Sequence, residues 1–279
     1  MSAAAERLHI SQSAVSVGIA ELERQLGSQL LLRDRARRLT LTDAGRRLLP
    51  DARALLARSD EVLAGMRDVG QRVAGRLVIG CFMTIAPFLL PGLLERFQAA
   101  YPDVVLDFVE GSLVELQEHL REGRCELAVL YDQDIQPGIS CEVLTLTRPY
   151  VLLPPEHPLA SEDAVWLADL AGWDMVMLDV PPSLHYFSEV LARAGVEPVI
   201  RHRTVSFEMV RSLVARGVGY SLAIQQPAAS VSYEGRPVAI RPIRDRLPPL
   251  PIVLARLSGA RLTRRAAVFS TFCHTTLEG

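Results

Sequence analysis

Apolar residues recur along this chain in a helical rhythm first, and then in short runs that alternate between strand and helix. Val15, Ile19, Leu22 and Leu26 fall at intervals of four, three and four, which predicts one helix with a buried stripe. Ahead of it, Ala3 to Leu8 is dense in good helix formers, with Ala4 and Leu8 on one face. Two short helices are therefore expected, joined at His9-Ile10, the second capped by Ser11 and ended by Gly27. Leu30 to Arg33 and Arg38 to Leu41 predict the two strands of a hairpin whose tip is Asp34 to Arg37. Thr42 can cap a further helix, with Asp43 favourably placed in its first turn. Along that helix Leu48, Ala52, Leu55, Ser59, Val62, Met66, Val69 and Val73 alternate in steps of four and three, a heptad seam that predicts a coiled coil. Leu49, Leu56 and Leu63 widen the apolar face by one row, and Pro50 predicts a kink or local break. Gly70 to Gly75 ends the segment as a hinge.

From residue 75 the pattern changes. Arg76 to Cys81, Val104 to Glu110 and Glu126 to Tyr131 are expected strands, separated by a Thr84-capped helix reaching Ala100 and by a helix that Ser112 and Glu115 open as a capping box. Tyr150 to Pro155, then His157 to Leu159, predict a crossover to a second lobe. There the alternation resumes with Met175 to Leu178, Ser183 to Arg193, Pro198 to His202, Ser206 to Ala215 and Gly219 to Ile224. Arg246 to Pro251 leads into Ile252-Val253-Leu254 as the return crossing, and a helix over Leu262 to His274 closes the first lobe. Strands alternating with helices imply α/β lobes built on parallel sheet. The expected division is residues 1–41, 42–74 and 75–279, with one lobe at about 75–153 and 252–279 and the other at about 154–251.

Composition narrows the chemistry. The chain has 279 residues, 49% of them apolar, enough for about two domains. No apolar stretch approaches the ~20 residues a membrane helix needs, and Met1-Ser2 leads into an Ala-rich segment rather than a signal peptide. Four scattered cysteines suit reduced, buried thiols. A cytoplasmic protein without membrane partners is expected. Lysine and asparagine are both absent and all 30 basic residues are arginine, which excludes a Schiff-base or phosphate-loop lysine. The net charge of −2 conceals a local +4 between Arg33 and Arg47, suited to localised phosphate contact.

At the start of the second helix, Ser11, Gln12, Ser13, Ser16 and Val17 project away from the stripe. Short polar side chains there can hydrogen-bond base edges in a major groove. Arg33, Arg35, Arg37 and Arg38 make the hairpin a basic wing. The run Ala-Ala-Glu-Arg-Leu-His-Ile-Ser-Gln-Ser-Ala-Val-Ser, then Leu22-Glu23, Leu26-Gly27, Arg33 and Leu41-Thr42-Asp43-Ala44-Gly45, resembles the LysR-type transcriptional regulators. The likeness extends, less sharply, over nearly the entire length. It implies a winged helix-turn-helix that binds double-stranded DNA and a dimerising helix with Leu48, Ala52, Leu55, Val62, Met66 and Val69 on its seam. It further implies a two-lobed effector domain of periplasmic-binding-protein-like architecture, and a homodimer or homotetramer. Three departures stand out. The family carries a further helix before this point, whereas the chain starts inside the second helix of the winged domain. Val17 replaces a basic or polar residue, and Gly18 costs about 1 kcal/mol relative to alanine in a helix interior. A partial winged domain is therefore expected to hold DNA weakly, and the alternative is a ligand-sensing module that has lost competent DNA binding.

Ligands in open α/β sheets bind beyond the carboxyl ends of strands, beside helix N-termini. That rule selects Phe82, Thr84, Ser112, Pro182, Ser183, Ser206 and Phe207 as candidates for a small-molecule effector, a carboxylate or other small anion. Taken singly, each hydroxyl is more often an ordinary helix cap, and what favours a site is that junctions from two lobes should converge on one cleft. His185 and His202 flank the second lobe's expected cleft, and none of the six histidines has metal-ligand spacing. There is no Gly-x-Ser-x-Gly elbow and no paired-cysteine or paired-histidine motif. Neither catalysis, a metal nor a cofactor is expected. An enzyme on the same fold would need Ser112 and Ser183 placed for turnover, without a general base beside them in the sequence.

Overall fold

The computed structural model describes residues 2–33, 39–67, 73–181 and 183–277 and divides into two compact units, Met1–Asp60 and Glu61–Gly279. No helix among the described residues is long and apolar enough to cross a membrane.

In the first unit, helices α1 (Ser2–Leu8) and α2 (Gln12–Leu26) meet at His9, which takes the left-handed φ of 53°. Ser11 is extended, and its hydroxyl accepts from Ala14 N at 3.1 Å, the expected cap. Gly27 ends α2 at φ 61°. Strands β1 (Leu31–Arg33) and β2 (Leu39–Leu41) pair antiparallel, Leu31 opposite Leu41. Glu23 ties α2 to this hairpin, its Oε1 accepting from Leu30 N at 2.7 Å and Leu31 N at 3.1 Å. Thr42 caps α3 (Asp43–Arg67) by accepting from Gly45 N at 3.0 Å.

One expectation fails here. The stripe on α2 is not buried: Val15 and Ile19 are half-covered, Leu22 and Leu26 are exposed, and the helix contains no buried residue. Among the described apolar side chains of this unit only Ala5 and Leu30 are buried, so the stripe on α2 stays largely uncovered although α1 packs beside the helix. Pro50 lies inside α3 without breaking it. Its missing N–H removes one backbone bond, and the helix continues to Arg67. Leu48 and Ala52 are half-buried and Leu55 is 72% exposed. The side chains of Val62 and Met66, and all of Val69, lie outside the described residues. Val73 follows the helix and packs on the core of the second unit.

The second unit has two lobes. In the first, a five-stranded sheet runs in the order β4-β3-β5-β12-β6. Strands β3 (Gly75–Phe82), β4 (Val104–Gly111) and β5 (Leu127–Tyr131) are parallel. Strand β12 (Leu250–Leu257) returns antiparallel between β5 and β6 (Ile139–Thr147). Helices α4 (Ala86–Ala100), α5 (Leu113–Arg121) and α8 (Arg264–Leu277) cover it, with Phe97 of α4 in edge contact with Phe269 of α8 at 5.0 Å. In the second lobe β7 (Tyr150–Leu153) lies between β10 (Ser221–Ala223) and β11 (Ala239–Pro242), and β8 (Asp174–Leu178) pairs parallel with β9 (Val199–Thr204). Helices α6 (Ser183–Arg193) and α7 (Phe207–Ala215) complete it.

The first-lobe sheet is thus mixed rather than wholly parallel, because β12 comes back from the second lobe. Tyr150 to Leu153, placed with the first lobe on sequence, pairs with β10 and β11, so the outgoing crossover is the two residues Arg148-Pro149. Strand β6 was not anticipated. Thr84 does not cap α4, which begins at Ala86 after Ile85 with no side-chain cap and uses proline in its first turn instead.

Candidate functional site

The carboxyl ends of β3, β5 and β8 and the N-termini of α6 and α7 converge on one narrow space between the lobes. Its walls are Thr84 and Tyr131 from the first lobe, and Leu178, Ser183, Phe187, Phe207 and Ala223 to Gln225 from the second. The space measures about 20 Å³, room for roughly one water. The lobes touch across it. Gln225 Nε2 donates to Tyr131 Oη at 3.0 Å, and Phe88 of α4 meets Phe207 edge-on at 5.7 Å. Burial pushes the Tyr131 phenol up to about 12, with hydrogen bonds to Gln225 and Thr84 pulling the other way. It is a neutral hydrogen-bonding group at any ordinary pH. None of the described residues on these walls carries a charge.

Of the seven candidates, Thr84, Ser183 and Phe207 line this space. Phe82 lies behind it, fully buried and in edge contact with Tyr131 at 5.7 Å. Ser112 and Ser206 act as helix caps. Ser112 forms the full capping box with Glu115, and Ser206 Oγ accepts from Met209 N at 3.2 Å. Pro182 lies outside the described residues, and the exposed His185 and His202 are not among the lining residues. Sequence reasoning missed Tyr131, Phe187 and Gln225. Tyr131 was accessible to it, being the last residue of a strand whose carboxyl end faces the cleft. Gln225 had no such signal, because its role depends on the path taken after β10.

In the first unit, Ser11, Gln12, Ser13 and Val17 are exposed along the N-terminal part of α2, and Ser16 is half-buried. Ser11 and Ser13 hydroxyls lie 2.8 Å apart, and Gln12 Oε1 accepts from Ser2 Oγ at 3.3 Å. Arg33 belongs to β1, though its side chain is not described, and Arg35, Arg37 and Arg38 lie outside the described residues.

Two short helices, a hairpin, a long helix and a two-lobed domain with an interlobe cleft follow one another along the chain. Residues 70–278 match the LysR substrate binding domain, and residues 1–46 match the bacterial regulatory helix-turn-helix protein, lysR family. The chain belongs to the LysR family. It is 31% identical to the HTH-type transcriptional regulator XapR of Escherichia coli K12 over 88% of this chain and 83% of that one. Among solved structures it is similar to HinK, a LysR family transcriptional regulator from Pseudomonas aeruginosa. That likeness has a TM-score of 0.72 at 35% identity and covers 98% of this chain and 91% of HinK. The C-terminal domain of a probable LysR family regulator from Rhodococcus sp. RHA1 is 39% identical, with a TM-score of 0.70, over 72% of this chain and 99% of that domain. This LysR protein is a transcriptional regulator with a helix-turn-helix and a substrate-binding domain.

Proposed function

We propose that the interlobe cleft is the effector site of this regulator and that α2 and the hairpin are its DNA-reading element. The observation that carries the first half is convergence: Thr84 and Tyr131 from one lobe face Ser183, Phe207 and Gln225 from the other across one space. Three hydroxyls, a primary amide and two helix N-termini offer donors without a fixed charge, an environment suited to a small carboxylate or other small anion. A space of about 20 Å³ must widen to take such a ligand. The effector therefore selects an arrangement of the lobes other than the closed one and shifts the protein toward it. With no acid, base or thiol among the described cleft residues, binding is favoured over turnover. The test is a panel of carboxylate and aromatic metabolites scored by melting temperature. At least one should raise it, and Thr84→Val or Gln225→Leu should remove that rise. A flat response across the panel counts against the cleft as an effector site.

For DNA, Ser11, Gln12, Ser13, Ser16 and Val17 would meet base edges and phosphates, with Arg33, Arg35, Arg37 and Arg38 against the backbone. Residues 1–41 would form the DNA-binding domain, 42–74 the linker helix and 75–279 the effector domain. The seam of Leu48, Ala52, Leu55, Val62, Met66 and Val69 would pair two chains as a homodimer, or a tetramer built from two. Sedimentation of Leu55→Glu should show a smaller species than the parent. A second reading has one observation in its favour, the uncovered stripe on α2. It holds that the chain senses ligand without gripping DNA. A gel shift with the upstream intergenic region separates them, since salt-sensitive retardation supports the regulator that binds DNA and no shift at low salt supports the sensor.

A further inference from the structure

The second unit also holds an opening much larger than the interlobe cleft. On the second lobe, behind β7 and β11, lies an open groove of about 810 Å³, within the size range of small-molecule sites. Its floor is apolar, with Tyr150, Ile224, Val238 and Ile240, and its polar groups include Arg148, Gln226, Ser230 and Arg241. Among the described lining residues two are arginines and none is acidic, so the groove has one sign of charge over an apolar floor. Arg241 is held in place by its own donors, to Ile240 O at 2.7 Å and to Ala160 O. The exposed Arg148 lies on the outgoing crossover and donates to Leu247 O near the returning strand at 3.2 Å.

We propose that this groove is a second ligand site, taking an amphipathic organic anion such as an aryl or alkyl carboxylate or sulfonate. The ring or chain covers the apolar floor and the anionic head meets Arg148 and Arg241. The site also shares a wall with the cleft: Ile224 lines both spaces. Tyr150, in the groove, donates through its hydroxyl to Gln225 O at 2.7 Å, and the Gln225 side chain reaches Tyr131 across the lobes. A ligand that moves Tyr150 or Ile224 therefore acts on the contact that holds the lobes together. Coupling between the two ligands is reciprocal. This coupling rests on the cleft being the effector site, whereas the groove's own binding does not.

The probe is anilinonaphthalene sulfonate, an aryl sulfonate, titrated into the full chain by fluorescence and mapped by hydrogen–deuterium exchange. The expected result is slowed exchange in peptides covering 148–150, 224–226 and 237–242. Arg148→Gln, which removes the exposed charge, and Ser230→Trp, which crowds the groove from an exposed position, should each weaken binding roughly fivefold or more. Far-UV circular dichroism and the melting temperature check each variant's fold, and if one fails to fold the other decides. Protection confined to residues 2–60, protection confined to the peptides around Thr84 and Tyr131, or unchanged affinity in the folded variants overturns the proposal. Because no cleft ligand enters this experiment, a flat metabolite panel and a failed probe titration report on different sites.

Discussion

Two glycines of the first unit carry opposite consequences at the residue scale. Gly18 sits in the interior of α2 with nothing within 4 Å of where a Cβ would stand, whereas a Cβ on Gly45 would lie 2.2 Å from Leu30 O. Gly18→Ala should therefore stabilise by about 0.5–1 kcal/mol, chiefly by narrowing the unfolded chain's freedom. Gly45→Ala forces the first turn of α3 away from the hairpin and should cost about 1–3 kcal/mol. Thermal melts of the two single variants check both signs, and a stabilised Gly45→Ala would mean that α3 does not sit against Leu30 in solution. The cost of Gly18 was legible in the sequence, because a helical rhythm surrounds it. The need for Gly45 was not, since it arises from a carbonyl fifteen residues earlier in the chain. The cleft divides in the same way. Thr84, Ser183 and Phe207 were found from strand-to-helix junctions, and Gln225 could be found only from the contact it makes.

At the scale of the element, local chemistry was legible and pairing was not. Ser112 with Glu115, Ser11 before α2, Gly27 after it and Thr42 before α3 all behave as their residue types dictate. Strand β6 was missed although Ile139, Cys141, Val143 and Thr145 alternate with their neighbours, and Tyr150 to Leu153 joined the wrong lobe because an apolar run of four carries no record of its partner. The capping box also decides what Ser112 does. Its N–H and its hydroxyl both donate to Glu115 Oε2 at 2.8 Å. These bonds hold the Glu115 carboxyl below the usual carboxylate range. A carboxyl lowered in the folded state contributes stability above the unfolded value, near 4.3, and that contribution is lost as pH falls through the folded value. Ser112→Ala should destabilise by about 1 kcal/mol and, in an NMR titration, raise Glu115 part of the way back, the backbone N–H bond remaining. An unmoved Glu115 would show that the hydroxyl bond is not populated.

Across the whole molecule, one unit has almost no buried apolar side chain among its described residues, and the other has a continuous core spanning both lobes. The strand–helix alternation from residue 75 onward was legible in the sequence, while the small volume of the cleft depends on interlobe contacts that no local pattern encodes. The larger unit's core contains three buried thiols, Cys81, Cys125 and Cys273, with Cys141 half-buried at its edge. Burial pushes all four up, Cys125 and Cys273 to about 12. Unfolded thiols ionise near pH 8.5, so between that value and the raised folded ones only the unfolded chain releases these protons. The stabilisation is complete below about pH 8.5 and erodes as pH climbs toward the folded values, by about 1.4 kcal/mol per pH unit for each thiol held neutral. Urea midpoints should thus be level from pH 7 to 8 and fall steeply by pH 10, and Cys125→Ala should make that fall shallower even if it lowers the midpoint at pH 7. In the native protein, Cys141 should be the first to react with a thiol reagent. A midpoint unchanged between pH 8 and 10, or equal labelling of all four cysteines, would show that the core admits hydroxide and that its thiols are not sealed as the packing implies.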